Sequence, residues 1–135
     1  MTNKISFISN LTPSTSYGIN LFWAINNINK NTIAYGENTL SFKDIKQFGL
    51  DSIIPVWDKS YKYFFQILKQ IKQDKPKVVH IQHEINIYGS LLSVIMFPLH
   101  LLILRLKKIK VVVTVHALPA LDQINKEFIH NFQSE

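Results

Sequence analysis

The 135 residues contain no cysteine and only four glycines. Without thiols there can be no disulfide scaffold, cysteine-ligated zinc, iron–sulfur cluster or thiol nucleophile. That absence fits a reducing compartment. The scattered glycines form neither a GxGxxG fingerprint nor a P-loop, so the two best-known glycine-rich phosphate cradles are excluded. Acid is also scarce, with 9 Asp and Glu against 15 Lys and Arg, for a net charge of +6. No export signal is legible. The stretch Met1 to Asn10 offers one lysine and a four-residue apolar run, Ile5 to Ile8, where a signal peptide needs an apolar core of about 7–15 residues. Repeats and low-complexity tracts are missing too. What remains is 47% hydrophobic and 18% charged, a composition that folds and that suits a single domain.

The hydrophobic pattern predicts the following order of elements. Lys4 to Asn10 reads as a first strand, and Leu11 to Gly18 as a polar turn. Ile19 to about Asn29 reads as a helix with Ile19, Phe22, Trp23 and Ile28 near one face. Thr32 to Tyr35 is a second strand ended by Gly36. Ile53 to Trp57 is a short apolar piece whose Pro55 places it at a sheet edge or in a loop. Asp58 is expected to cap an amphipathic helix carrying Tyr61, Phe64, Ile67, Leu68 and Ile71, which Pro76 stops. A strand Lys77 to Glu84, an apolar helix Ile87 to Leu106, a strand Val111 to His116 and a last helix Leu121 to Phe132 follow. Continuous Val and Ile runs alternating with helices predict an α/β fold, a Rossmann-like parallel sheet flanked by helices, with strands buried on both faces.

The most apolar stretch, Leu91 to Leu104, contains Pro98 and His100 and is short of the roughly 20 residues a membrane span needs. A core helix is the first expectation, and a helix lying in a membrane surface is the second. Arg105, Lys107, Lys108 and Lys110 come directly after it. They suit a helix C-terminus, where cations oppose the dipole, and equally a peripheral contact with an anionic membrane. The dispersed charge, with no accompanying motif, argues against nucleic acid.

Parallel sheets bind ligands beyond the carboxyl ends of their strands. Three features are expected there. The loop from Pro13 to Gly18 opens a helix, whose N-terminal amides suit a phosphate or a sugar, and Gly18 permits close backbone approach. His83 and Glu84 end one strand, and His116 ends another; an imidazole there can hold a hydroxyl or move a proton near neutral pH. His80 and His83 are three apart on a strand and so lie on opposite faces, which argues against a shared metal. His80 reads as structural, and His100 and His130 as incidental.

These residues resemble a known family. The run Val78-Val79-His80-Ile81-Gln82-His83-Glu84, then Ile87-Tyr88-Gly89, the helix ending in Leu101 to Lys108, and Val111-Val112-Val113-Thr114-Val115-His116 are similar to the N-terminal domain of GT-B glycosyltransferases of the family 4 type. The opening strand, the loop to Gly18 and the next helix fit that domain's start. The resemblance implies transfer of a sugar from a nucleotide-sugar co-substrate to a glycan or lipid-linked acceptor, with no metal and no other cofactor, on the cytoplasmic side of a membrane. It implies that residues 1–135 are the acceptor-side domain, incomplete, with the nucleotide-binding domain and its E-x7-E motif absent. Glu127 and Glu135 are eight apart but stand in the wrong context. His116 matches the histidine at the reaction centre. Gly18, preceded by Ser16 and Tyr17 where paired glycines are usual, matches the loop glycine against the donor's phosphates. His83, Glu84 and Gly89 match further substrate-side positions, and Ser90 stands where a second glycine is common. The isolated chain is expected to be inactive. Two other classes stay open: a non-catalytic Rossmann-like binding subunit or remnant that needs a partner chain, and a small protein with one membrane span.

Overall fold

The computed structural model describes residues 3–11, 16–39, 52–83 and 91–116. Five strands make one parallel sheet: β1 (Ile5–Ile8), β2 (Thr32–Glu37), β3 (Ile53–Trp57), β4 (Val78–His83) and β5 (Lys110–Val115). Among the described residues three helices flank it: α1 (Ser16–Ile28), α2 (Tyr63–Asp74) and α3 (Leu91–Leu106). The spatial order is β3-β2-β1-β4-β5. The chain winds outward from β1 to β3, then returns to the other side of β1. This is the Rossmann-like α/β arrangement that the alternating pattern implied, and its winding reverses between β1 and β4.

Strand alternation splits the core in two. Phe7, Ala34 and Ile53 point to one face, where Ile19 and Phe22 of α1 cover them together with Leu11. Ile8, Tyr35, Trp57, Val79 and Ile81 point to the other. There Tyr63, Phe64, Ile67 and Ile71 of α2 and Phe97 and Leu104 of α3 close over them. Polar groups pin this second layer. Lys4 Nζ donates to Asp74 Oδ1 at 2.8 Å, and Tyr35 Oη donates to Asp74 Oδ2 at 2.7 Å while accepting from Ser6 Oγ at 2.7 Å. Burial raises the Tyr35 phenol's pKa. Burial also pushes Asp74 up, but hydrogen bonds from Lys4, Gln70 and Tyr35 outweigh it and hold the carboxyl below the usual range.

Several sequence expectations need correction. The first helix starts at Ser16, inside the stretch read as a turn, and Trp23 and Ile28 are 50% and 89% exposed. The buried stripe runs through Gly18, Phe22 and partly buried Ile25, which the i, i+4, i+7 spacing allows equally well. Gly36 lies inside β2, where the register shifts against β3. Asp58 does not cap α2; Lys62 holds that position without a side-chain bond. Asp58 instead accepts from Gln66 Nε2 at 2.6 Å and Asn38 Nδ2 at 2.8 Å. Its carboxyl pKa is lowered, first by the Gln66 bond. Among the described residues β5 is an edge strand with Val112 and Val115 half exposed, so its all-β-branched run does not mark burial on both faces. The edge position of the Pro55 strand agrees with the structure.

The apolar segment forms α3, sixteen residues long, and packs as a core helix through Phe97, His100 and Leu104. No helix among the described residues is long and apolar enough to cross a membrane. The helix after residue 120, with His130, lies outside the described residues.

Candidate functional site

The carboxyl edge of the sheet gathers the N-terminus of α1, the end of β4 and the end of β5. Gly18 is what lets α1 sit so close. A Cβ there would stand 2.6 Å from Ser9 Oγ and 3.1 Å from the Asn10 carbonyl oxygen, so a larger residue requires the Ser9 side chain to turn away and the β1 exit to give by a few tenths of an ångström. Gly18 therefore serves helix–strand packing, and that packing carries Tyr17 over the sheet edge. The Tyr17 ring meets the His116 ring edge-on, 4.7 Å between centroids and inclined 76°. Tyr17 is 57% exposed, so it presents most of its ring to solvent beside the histidine. Ser16 begins the helix, with its amide in the first turn. These first-turn N–H groups have no intrahelical acceptor and carry the positive end of the dipole, which suits an anion or a hydroxyl-rich ligand.

Behind His116 runs a polar ladder on the face of the sheet that α1 also uses. The His116 backbone N–H donates to the His83 carbonyl at 2.9 Å, extending the β4–β5 pairing by one bond. Register places Gln82 opposite Thr114. Strand alternation then puts His80, Gln82, Thr114 and His116 on one face. His116 Nε2 is hydrogen-bonded to Gln82 Oε1. The other end of that carboxamide, Nε2, lies 2.9 Å from His80 Nε2, and Thr114 Oγ1 is 2.9 Å from the same nitrogen.

The amide orientation assigns the protons. A carboxamide NH2 only donates, so His80 Nε2 accepts and its proton sits on Nδ1. The Thr114 hydroxyl lies within reach of the same nitrogen, and His116 donates Nε2–H to the amide oxygen. Burial lowers the pKa of His80, the direction that favours the neutral ring of that pattern. The His80 ring is also held edge-on by Phe7, 5.2 Å away. His116 is thus fixed in orientation by Gln82, with Nδ1 as its second polar atom. Such a ring can hold a hydroxyl or take a proton.

His83 ends β4 at the same edge but points to the opposite face, one residue out of phase with His116. Its ring stacks on Phe97 of α3 at 3.9 Å, nearly parallel at 9°, and burial lowers its pKa. The structure therefore brings Tyr17, Gly18 and His116 together and sets His83 on the far side of the sheet. Glu84 and Gly89 lie outside the described residues. His80 and His83 fall on opposite faces as their spacing implies. Among the described residues no cluster of His, Asp or Glu could hold a metal.

Two buried groups were not foreseen. Gln82, 1% exposed, connects His80 to His116. The alternation of His80-x-Gln82 and Thr114-x-His116 carried that signal once the two strands were paired in register. His100 is buried between helices, not incidental. It is 1% exposed, edge-on to Phe64 at 5.4 Å, and burial depresses its pKa to about 4.

The chain matches no protein-family model, and no curated protein or solved structure matches it.

Proposed function

We propose that the chain is the acceptor-side portion of a glycosyltransferase, which holds a glycan or lipid-linked acceptor for a sugar delivered from a nucleotide-sugar. The observation that carries this reading is the junction of Tyr17 and His116 over the seat made by Gly18. It places an aromatic ring, an oriented imidazole and a helix N-terminus at the carboxyl edge of a parallel sheet. Aromatic rings pack on the apolar faces of sugars, an oriented imidazole bonds a hydroxyl, and helix-terminal amides bond phosphate or hydroxyl oxygens. The sequence resemblance of the β4 and β5 strand ends to the family 4 type supports the same reading.

In this proposal His116 touches the reacting hydroxyl, and Tyr17 and Gly18 with Ser16 form the adjoining wall. Nucleotide binding comes from a second domain or a partner chain. Sugar transfer depends on a closed and positioned site, so the 135 residues alone do not turn over. The test mixes the chain with uridine- and guanosine-diphosphate hexoses and with oligosaccharide and polyprenyl-phosphate acceptors, reading both transfer and binding. Acceptor binding without transfer, weakened at least about tenfold in His116→Ala, supports the proposal. Product from the chain alone would contradict the acceptor-side role, and binding that ignores His116→Ala would contradict the site.

A further inference from the structure

We infer that the outward face of α3, with the cations that follow it, docks on the surface of an anionic lipid bilayer. A helix on the outside of a sheet ordinarily turns polar residues to solvent. Here Phe97, His100 and Leu104 face the sheet and α2. On the opposite side Ile95, Leu99, Leu102 and Leu106 are 62%, 42%, 51% and 72% exposed. Their spacing, i, i+4, i+7, i+11, keeps all four within roughly 60° of arc, diametrically away from the core stripe. The helix is thus apolar on both sides, yet it is too short to span a bilayer. Lying in the interface is the placement that uses both properties.

Charge selects the occupant. Arg105, Lys107, Lys108 and Lys110 stand at the C-terminal end of the stripe, all exposed. No Asp or Glu occurs anywhere in 85–121. None of the four cations is in an ion pair among the described residues. The helix dipole accounts for Arg105 and Lys107, but Lys110 already belongs to β5. The helix also ends tightly. Lys108 adopts a left-handed φ of 58°, and the Ile109 N–H reaches back to the Leu104 carbonyl at 3.1 Å while Lys108 N–H bonds the Arg105 carbonyl at 2.9 Å. That pair of bonds ends the helix at the apolar stripe and turns the chain at Lys108, so the cations follow the stripe directly. A protein partner needs no such one-signed patch, whereas anionic headgroups above an acyl layer match it in both chemistry and order. Each cation near such a surface adds about fivefold to affinity. Docking would hold whether or not the strand-end site handles sugars.

The test is co-sedimentation of the chain with vesicles of pure phosphatidylcholine and with vesicles carrying about 30 mol% phosphatidylglycerol. Binding is expected on the anionic vesicles, at least about tenfold tighter than on the neutral ones, and weakened by salt at about 0.5 M. Lys107→Glu with Lys108→Glu should cut it at least about tenfold, and Leu99→Ser with Leu102→Ser should do the same. All four positions are exposed, so both variants should unfold at the same denaturant midpoint as the parent. Equal binding to the two vesicle types, or anionic binding indifferent to both double variants, would overturn the inference. So would a chain that ignores vesicles and sediments as a dimer that the Leu99→Ser, Leu102→Ser variant dissociates, since the stripe would then belong to a second copy.

Discussion

The two faces of the sheet are built from the same five strands and serve opposite ends. On the α2–α3 face, Tyr35, Trp57, Tyr63, Phe64 and Ile67 are essentially inaccessible, and each polar atom of the Tyr35–Asp74 network is matched. On the α1 face the apolar cluster under the helix, among the described residues, draws on β1 to β3. The neighbouring β4–β5 strip carries His80, Gln82, Thr114 and His116, with the half-exposed Val112 opposite His80. Two adjacent parallel strands can therefore hold a dry core behind and an oriented polar row in front, because alternation keeps the two sets of side chains from competing. Stability should reside in the first face and ligand chemistry in the second.

The largest expected effect breaks the closed face. Trp57→Ala removes a fully buried ring and the hydrogen bond from its Nε1 to the Tyr35 carbonyl. It should cost about 4 kcal/mol in urea unfolding, and a loss under about 1 kcal/mol would show that the core is not centred there.

His100 sharpens the comparison through pH. Its folded-state pKa is about 4 against an unfolded value of 6.5. Between these values the unfolded chain binds a proton that the folded chain refuses, so stability falls as pH drops from 6.5 toward 4. The full loss is about 3 kcal/mol, complete below pH 4. His100→Leu should remove that part of the acid slope and leave stability at neutral pH nearly unchanged, since the His100 Nε2 it deletes has no hydrogen-bond partner among the described residues. An unaltered slope in the variant would mean the ring is hydrated in solution.

On the other face, Gln82→Leu should act differently. It cuts the link between His116 and His80 but leaves the aliphatic core intact, at a cost of about 1–2 kcal/mol. Its signature is spectroscopic. The Nε2 resonance of His116 should shift as its hydrogen bond to Gln82 is lost, whereas Trp57→Ala should leave it in place. The smallest effect concerns neither face. Lys75 ends α2 in a left-handed conformation, φ 49°, a position that favours glycine. Lys75→Gly should raise stability by about 0.5–1 kcal/mol in the same unfolding experiment.

The sequence made some of this legible and concealed the rest for physical reasons. The strands β4 and β5 were readable because Val and Ile runs bounded by charged residues have few alternatives, and so the strand-end places of His83 and His116 followed. The ladder was hidden. Gln82 and Thr114 meet only through the register of two strands 32 residues apart, and no local pattern encodes register. The start of α1 was misplaced because Ser16 and Tyr17 are weak helix formers, and tertiary contact through Gly18 holds them there. Asp58 had the composition of a cap, but the side-chain amide donors of Gln66 and Asn38 took the carboxylate. His100 looked incidental because burial of one helix face depends on which neighbour covers it.

The most direct test of the strand-end site is an amide-shift titration of the labelled chain with oligosaccharide and polyprenyl-phosphate acceptors. The account predicts shifts concentrated at Tyr17, Gly18 and His116, followed by Gln82 and Thr114 behind them, and none at Lys4 or Asp74 on the amino edge of the sheet. Shifts confined to other parts of the chain, or none with either acceptor class, would contradict it.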